Sequence, residues 1–283
     1  MANNIKNLQM YCISLEPKHL GFIKKLGYTP VGLGHKNFNQ EWVKDNTGDN
    51  ISKKNKNYGE YTFHYWIWKN YLEQINHEWV GFCQYRKFWT LKNYDNQKLS
   101  IQEIPNIVLK KIPDDFQNYD SILGKPYYIN QRKIMKFLKK GLKIIVKNPK
   151  VLIDKNARNI RIHFDLMHGE NNLYKAINLL DQENKSDFWD YVNTKSYFHP
   201  HNMFICKKNL LKEYYETVFP WLERCESIFG FENLKGYGKT RIYGFLAERF
   251  MSYWFKKNTK YSIMPIIFYD IRKDLNSFSS NES

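Results

Sequence analysis

A chain of 283 residues, 42% of them hydrophobic, is long enough to bury a full core and falls outside the disordered and fibrous composition classes. Its formal net charge of +16 points to polyanionic partners, whether nucleic acid, an anionic membrane surface or a phosphorylated substrate, although a chain so rich in Asn and Lys also carries the bias of AT-rich coding. The cysteines at 12, 83, 206 and 225 have neither metal-knuckle nor disulfide-framework spacing, no run of about 18 apolar residues is present to span a membrane, and residues 1–7 hold no apolar signal region, so the expected setting is a reducing cytosol.

In chain order, Leu8 to Leu15 reads as a buried strand, Lys18 to Leu26 as a short helix, and Tyr28 to Leu33 as a second strand before Gly34. This β-α-β opening is typical of nucleotide-binding α/β folds. Residues 45–56 are rich in Gly, Asn, Asp and Ser and predict a loop. Tyr58, Tyr61, Tyr65, Trp68 and Leu72 recur at helical spacing and predict one helix over 57–74. Trp79 to Cys83 and Ser121 to Leu123 are short strands. Over 132–150, eight Lys and Arg residues interleave with Ile134, Phe137, Leu138, Leu142 and Ile145 and no acid appears, which predicts a basic amphipathic helix. Helices follow at 172–180, 185–193, 209–229 and 242–256, a strand at 201–207, a loop at 236–238 and a β-like run at 261–269. No linker divides the chain, so residues 1–271 are expected to form one domain and 272–283 a disordered polar tail.

The densest chemistry lies in the first third. Asp45-Asn46-Thr47-Gly48-Asp49-Asn50-Ile51-Ser52 precedes Glu60, Thr62 and Tyr65-Trp66-Ile67-Trp68-Lys69-Asn70, and a strand then runs into Gln84-Tyr85-Arg86-Lys87. Carboxylates, amides, aromatics and a basic pair in so short a stretch suit a sugar and a phosphate. Each has a plainer reading. Asp45 and Asp49 brace a tight loop as readily as they bind a ligand. Arg86 either pairs with an acid or holds phosphate. Trp66 and Trp68 cannot share one helical face; Trp68 fits the apolar stripe, which leaves Trp66 as the ligand candidate. Glu248 lies within an apolar helix, where a carboxylate needs a partner or a task. His163, His168, His199 and His201 match no standard zinc ligand set.

Together these motifs resemble the family "domain of unknown function 4422", which comprises capsular and exopolysaccharide biosynthesis glycosyltransferases. The resemblance continues through Gly81-Phe82-Cys83-Gln84-Tyr85-Arg86-Lys87, His168, Asn202-Met203-Phe204-Ile205 and Gly244-Phe245-Leu246-Ala247-Glu248-Arg249, in order over roughly residues 8–255. Two positions depart from the family pattern: Gln84 replaces a His, so no proton relay is carried over to position 84, and Lys87 replaces an Arg, which preserves charge.

The resemblance implies an α/β, type-A glycosyltransferase-like fold with a mixed, mainly parallel sheet and helices on both faces. It also implies inverting transfer from a nucleotide sugar, with a uridine diphosphate sugar (galactofuranose among the candidates) as donor and a lipid-linked bacterial surface glycan as acceptor. The general base is expected at Glu248, with Asp49 second. Donor and phosphate contacts are expected from Asp45, Asn46, Asn50, Glu60, Tyr65, Trp66, Lys69, Tyr85, Arg86, Lys87, His168, Asn202 and Arg249. No Asp-x-Asp motif is present, so Arg86 and Lys87, with Lys69, are expected to replace the magnesium or manganese ion that often holds the leaving diphosphate, and no cofactor is required. The 132–150 segment is expected to dock on the anionic inner face of the plasma membrane, with no role for nucleic acid. The rival reading is a non-catalytic basic module for nucleic acid or membrane. It explains the charge but leaves Asp45, Asp49, Glu60 and Glu248 without purpose, since carboxylates repel phosphates.

Overall fold

A computed structural model describes residues 6–131, 146–147 and 149–273. Most of the basic 132–150 segment, and the tail from 274, lie outside the described residues. The strands of the main sheet are β1 (Lys6–Ser14), β2 (Thr29–Gly32), β3 (Val43–Lys44), β4 (His77–Gln84), β5 (Lys87–Trp89) and β6 (Ser121–Gly124), followed by β9 (Phe204–Lys207), β10 (Tyr261–Met264) and β11 (Ile266–Phe268). A separate two-stranded ribbon pairs β7 (Tyr127–Tyr128) with β8 (Tyr197–Phe198). The main path runs β10-β6-β9-β4-β1-β2-β3. All its pairings are parallel except those β9 makes with β4 and β6. The sheet is therefore mixed and mostly parallel, with one reversed strand near its middle.

Strand pleating sends alternate residues to opposite faces, and the central strands follow it. Met10 and Cys12 of β1 join one core with Trp79 and Cys83 of β4, Ile205 of β9, and Phe22 and Ile23 of α1 (Leu20–Lys25). Tyr11 and Ile13, Val80 and Phe82, and Phe204 and Cys206 join the other. That second core is roofed by α2 (Tyr61–Trp66), α3 (Ile160–His168), α4 (Gln182–Thr194), α5 (Lys208–Phe229) and α6 (Ile242–Asn258). Burial on both faces is why these strands read as unbroken apolar runs. Gly81 leaves room where a Cβ would press on the side chains of Met10 and Ile205.

The single helix expected over 57–74 is broken. Residues Asn55–Tyr58 form one turn and Gly59 stops it at φ 60°, ψ −135°. Then α2 begins, and it ends in a π-helical stretch, Ile67–Tyr71. Periodicity spans the break because both pieces bury the same side, and the left-handed backbone at Gly59 is a matter of local geometry that apolar spacing does not record. The loop expected at 236–238 is instead the start of a helical turn, Tyr237–Thr240. The strand expected from 201 begins only at Phe204, for reasons that belong to the site.

Candidate active site

In sheets of this kind the carboxyl ends of parallel strands open a crevice for ligands. Here β1 ends at Ser14, β2 at Gly32 and β4 at Gln84, and the residues just beyond them, with Glu60, Asn202, Arg241 and Glu248, line a cavity of about 220 Å³. Its charged lining is Glu60, Arg86, Lys87, Arg241 and Glu248, three cations against two carboxylates.

These groups form a hydrogen-bonded chain. Arg241 Nη2 donates to Glu60 Oε2 at 2.9 Å. Gln84 Nε2 and Asn202 Nδ2 each donate to Glu60 Oε1 at 3.1 Å. Lys87 Nζ donates to Gln84 Oε1 at 3.0 Å and lies 3.1 Å from His201 Nδ1. Burial pulls the Lys87 ammonium below the usual lysine range, opposed by the charges of Glu60 and Glu248. Burial, aided by Lys87, pushes His201 down to about 3, so its ring is neutral at pH 7 and Nδ1 accepts from the ammonium. Arg86 is exposed, its guanidinium 5.0 Å from the centre of the Tyr85 ring.

Two successive non-glycine residues, His201 (φ 81°) and Asn202 (φ 52°), adopt left-handed backbone one residue ahead of β9. Each such residue costs on the order of 1 kcal/mol and persists only where its surroundings hold it. Here Glu248 Oε1 accepts from His201 N at 2.5 Å, Gln84 Nε2 donates to His201 O at 3.1 Å, and Asn202 Nδ2 reaches Gly244 O at 3.1 Å as well as Glu60. The β-strand therefore starts late, and the turn delivers the His201 ring to the cavity.

Glu248 and Arg249 sit on α6, which is buried on nearly every side. Arg249 bonds Glu248 Oε2 and lies 3.8 Å from the centre of the Phe198 ring. It is buried away from the cavity lining and acts on the site through Glu248. His168 is likewise outside the lining. Its Nδ1 pairs with Gly238 O at 3.0 Å and its ring stacks 4.0 Å from Phe245, which does line the cavity.

Of the residues singled out from the sequence, the structure brings Glu60, Tyr85, Arg86, Lys87, Asn202 and Glu248 together in the cavity. The 45–50 loop stands apart from that lining and is tied to α2. Tyr65 OH donates to Asp49 Oδ1 at 3.2 Å, Trp66 Nε1 to Thr47 Oγ1 at 3.0 Å, and Asn70 Nδ2 to Asp49 O at 2.7 Å. Asn50 Oδ1 accepts from Ser52 N at 3.2 Å, a side-chain-closed turn. Asn46 is exposed, and Lys69 Nζ rests 3.7 Å over the Trp68 ring. Trp66 stacks on Phe63 and Tyr71. Asp45 is buried, burial raises its carboxyl above the usual range, and its Oδ2 has no hydrogen-bond partner among the described residues.

Sequence reasoning missed Arg241, Tyr237 and the role of His201. Arg241, Gly244 and Glu248 are spaced i, i+3, i+7, which places them along one helical face, and that spacing was the available signal. Gly59 explains how Arg241 reaches Glu60: a Cβ on Gly59 would collide with the Arg241 guanidinium, and φ 60° itself disfavours a side chain. Gly59→Ala is expected to destabilise the fold by about 1–3 kcal/mol and to weaken ligand binding in the cavity. Denaturant unfolding together with a binding titration measures both, and an unchanged midpoint and affinity would reject this account.

The chain belongs to the family described as "Domain of unknown function (DUF4422)", whose model matches residues 12–259. Among solved structures it is similar to the WbbM bifunctional glycosyltransferase in its apo form. The TM-score is 0.70 at 20% sequence identity, over 93% of this chain and 45% of that one. That likeness shows a shared fold, and this chain spans less than half the length of the protein it resembles. Comparison with curated protein sequences gave no match.

Proposed function

We propose that this chain is a glycosyltransferase with a type-A fold, transferring a sugar from a nucleotide-sugar donor, in the first instance a uridine diphosphate sugar with galactofuranose among the candidates, to a growing lipid-linked surface glycan. The observation that carries the reading is the convergence of Arg86, Lys87 and Arg241 with Glu60 and Glu248 in one cavity at the carboxyl ends of β1, β2 and β4. A sugar donor needs fixed cations for the charge that develops on its departing diphosphate. Its acceptor alcohol needs a carboxylate to take the proton. Glu248 supplies that carboxylate. Each of its oxygens already accepts one hydrogen bond, and a carboxylate oxygen has a second lone pair for the alcohol. Glu60 is held by Arg241, Gln84 and Asn202 and acts as the brace that keeps Arg241 pointed inward.

The diphosphate clamp is assigned to Arg86, Lys87 and Arg241, the cations that line the cavity. Uridine diphosphate is expected to raise the melting temperature saturably at moderate salt. Arg86→Ala or Arg241→Ala should weaken that binding about 10–100-fold, as expected for one lost charge-assisted hydrogen bond of about 1.5–3 kcal/mol. Transfer that is abolished by a chelator and restored by manganese would overturn the cationic clamp. Binding to any polyanion with steep salt dependence would favour a non-catalytic basic module instead.

The same reading places the enzyme on the cytoplasmic face of an anionic membrane. No described helix is long and apolar enough to cross one. Docking is assigned to the basic 132–150 segment, where each nearby Lys or Arg contributes about 1 kcal/mol. Neutralising Lys136, Lys139, Lys140 and Lys143 is expected to abolish sedimentation with anionic vesicles, and undiminished sedimentation would reject the assignment.

A further inference from the structure

A second cleft, of about 370 Å³, adjoins the first and is lined by Lys125, Tyr127, Tyr128, Gln131, His201 and Phe268 among others. His201 lines both spaces. Its ring meets Phe268 edge to face at 5.3 Å and 77°, and Lys87 Nζ lies 3.1 Å from its Nδ1 and 5.9 Å from the centre of the Phe268 ring. His201 is the lining residue the two spaces share.

The two spaces differ in chemistry. The first holds three cations and two carboxylates. Among the described residues the second has Lys125 as its one charged side chain at neutral pH, and its lining mixes the rings of Tyr127, Tyr128, His201 and Phe268 with polar groups that make up the larger part of its open surface. Tyr128 and Phe268 are 41% and 46% exposed, large apolar faces left open to solvent beside a cavity. A sugar ring presents an apolar C–H face to an aromatic ring and hydroxyls to a few polar groups at the rim, which Lys125, Gln131 and the tyrosine hydroxyls supply.

We propose that this cleft is the acceptor subsite, seating one neutral sugar ring of the acceptor glycan against Tyr128 and Phe268, with His201 lining both the acceptor and the donor space. The word acceptor rests on the glycosyltransferase reading above; the sugar-binding claim rests on the cleft alone. The test is a protein-observed NMR titration with methyl hexopyranosides and methyl hexofuranosides, run with and without uridine diphosphate.

Wild type is expected to bind at least one glycoside saturably. Tyr128→Ala and Phe268→Ala should weaken it tenfold or more while leaving uridine diphosphate binding intact. Tyr128→Phe, which keeps the ring, should retain glycoside binding, and Arg86→Ala should weaken the nucleotide about 10–100-fold but keep the glycoside. The proposal is overturned if wild type binds no glycoside, if both alanine variants bind it normally, or if Arg86→Ala weakens it equally. Glycoside binding that depends on both aromatics in a protein that ignores uridine diphosphate would keep the sugar site and sink the donor reading.

Discussion

Glu248→Gln is expected to slow sugar transfer by about 10²–10⁴-fold, the range for loss of a positioned general base, while uridine diphosphate still binds. The substitution keeps an oxygen for the His201 N–H but removes the charge opposite Arg249. Arg249 is 2% exposed and packed against Phe198, so it cannot turn to water for compensation. Breaking a buried pair by removing one partner costs about 3–5 kcal/mol, so the same variant should lose stability. The two effects separate in the double variant Glu248→Gln with Arg249→Met. Replacing both charges with groups of similar volume is often close to neutral for folding. The double variant should regain most of the stability and none of the turnover. Transfer within threefold of wild type in Glu248→Gln would move the base to Glu60, the other carboxylate in the cavity.

The second large effect is on acid stability. Burial depresses His19 and His199 to about 4, and His64 and His201 to about 3, from an ordinary 6.5. Their surroundings offer little to hold a proton. His64 Nδ1 pairs with Tyr215 OH at 2.8 Å, His199 Nδ1 with Gly124 O at 2.6 Å, and His19 Nδ1 with Ser14 Oγ at 2.7 Å. Glu16 and Asp270 pull His19 upward against Lys18 and Arg272, Lys256 pushes His199 down, and Lys87 pushes His201 down. All four are neutral in the fold, whereas the unfolded chain protonates them near 6.5. The stability they confer is therefore complete above pH 6.5 and is lost as pH falls toward 4 and 3, at about 1.4 kcal/mol per pH unit for each.

Asp165 opposes this. Burial, countered by Arg161, raises its carboxyl to about 6, so its contribution favours the fold below that pH. Asp45, also raised by burial, acts in the same direction. Four histidines outweigh two carboxyls, and a domain holds only about 5–15 kcal/mol in total. Denaturant midpoints should drop steeply between pH 6.5 and 4.5, before ordinary carboxylates titrate. Equal midpoints at pH 7 and pH 4.5 would show that these rings find protonated-state partners on acidification.

Much of the framework was legible in the sequence because burial leaves a record in residue type. Unbroken apolar runs marked β1, β2, β4 and β6, and the long apolar stripes marked α5 and α6. Tyr85-Arg86-Lys87 was legible as a candidate because a basic pair directly after a buried strand has no packing reason to be there, and the fold sets all three in the cavity lining. Strands of two or three residues are too short for a periodic signal and were not legible: β5, and the β7-β8 ribbon whose aromatics help build the second cleft; α3 is amphipathic and its signal was overlooked.

Within the aromatic-rich 45–70 stretch, the candidates at 45–50 and 65–69 lie outside the cavity lining. Composition reports that side chains can grip a ligand, but whether they grip one another depends on distance. In the fold Tyr65, Trp66 and Asn70 are spent on the 45–50 loop, and Lys69 on Trp68. Arg249 and His168 likewise turn inward, toward Glu248 and Gly238.

The sequence alone determined an α/β chain, a buried carboxylate in a late helix and a basic pair at a strand end, since each follows from which residues must leave water and which cannot; the mixed sheet was implied by the family resemblance. Only the tertiary structure decided that Glu60 on the near side of β4 meets Arg241 from α6's entrance, and that His201 lines two cavities. Those meetings join positions more than a hundred residues apart through a glycine break at 59 and a left-handed turn at 201–202. Chain order carries no term for such closeness, because it arises only when sheet, helices and turn are assembled at once.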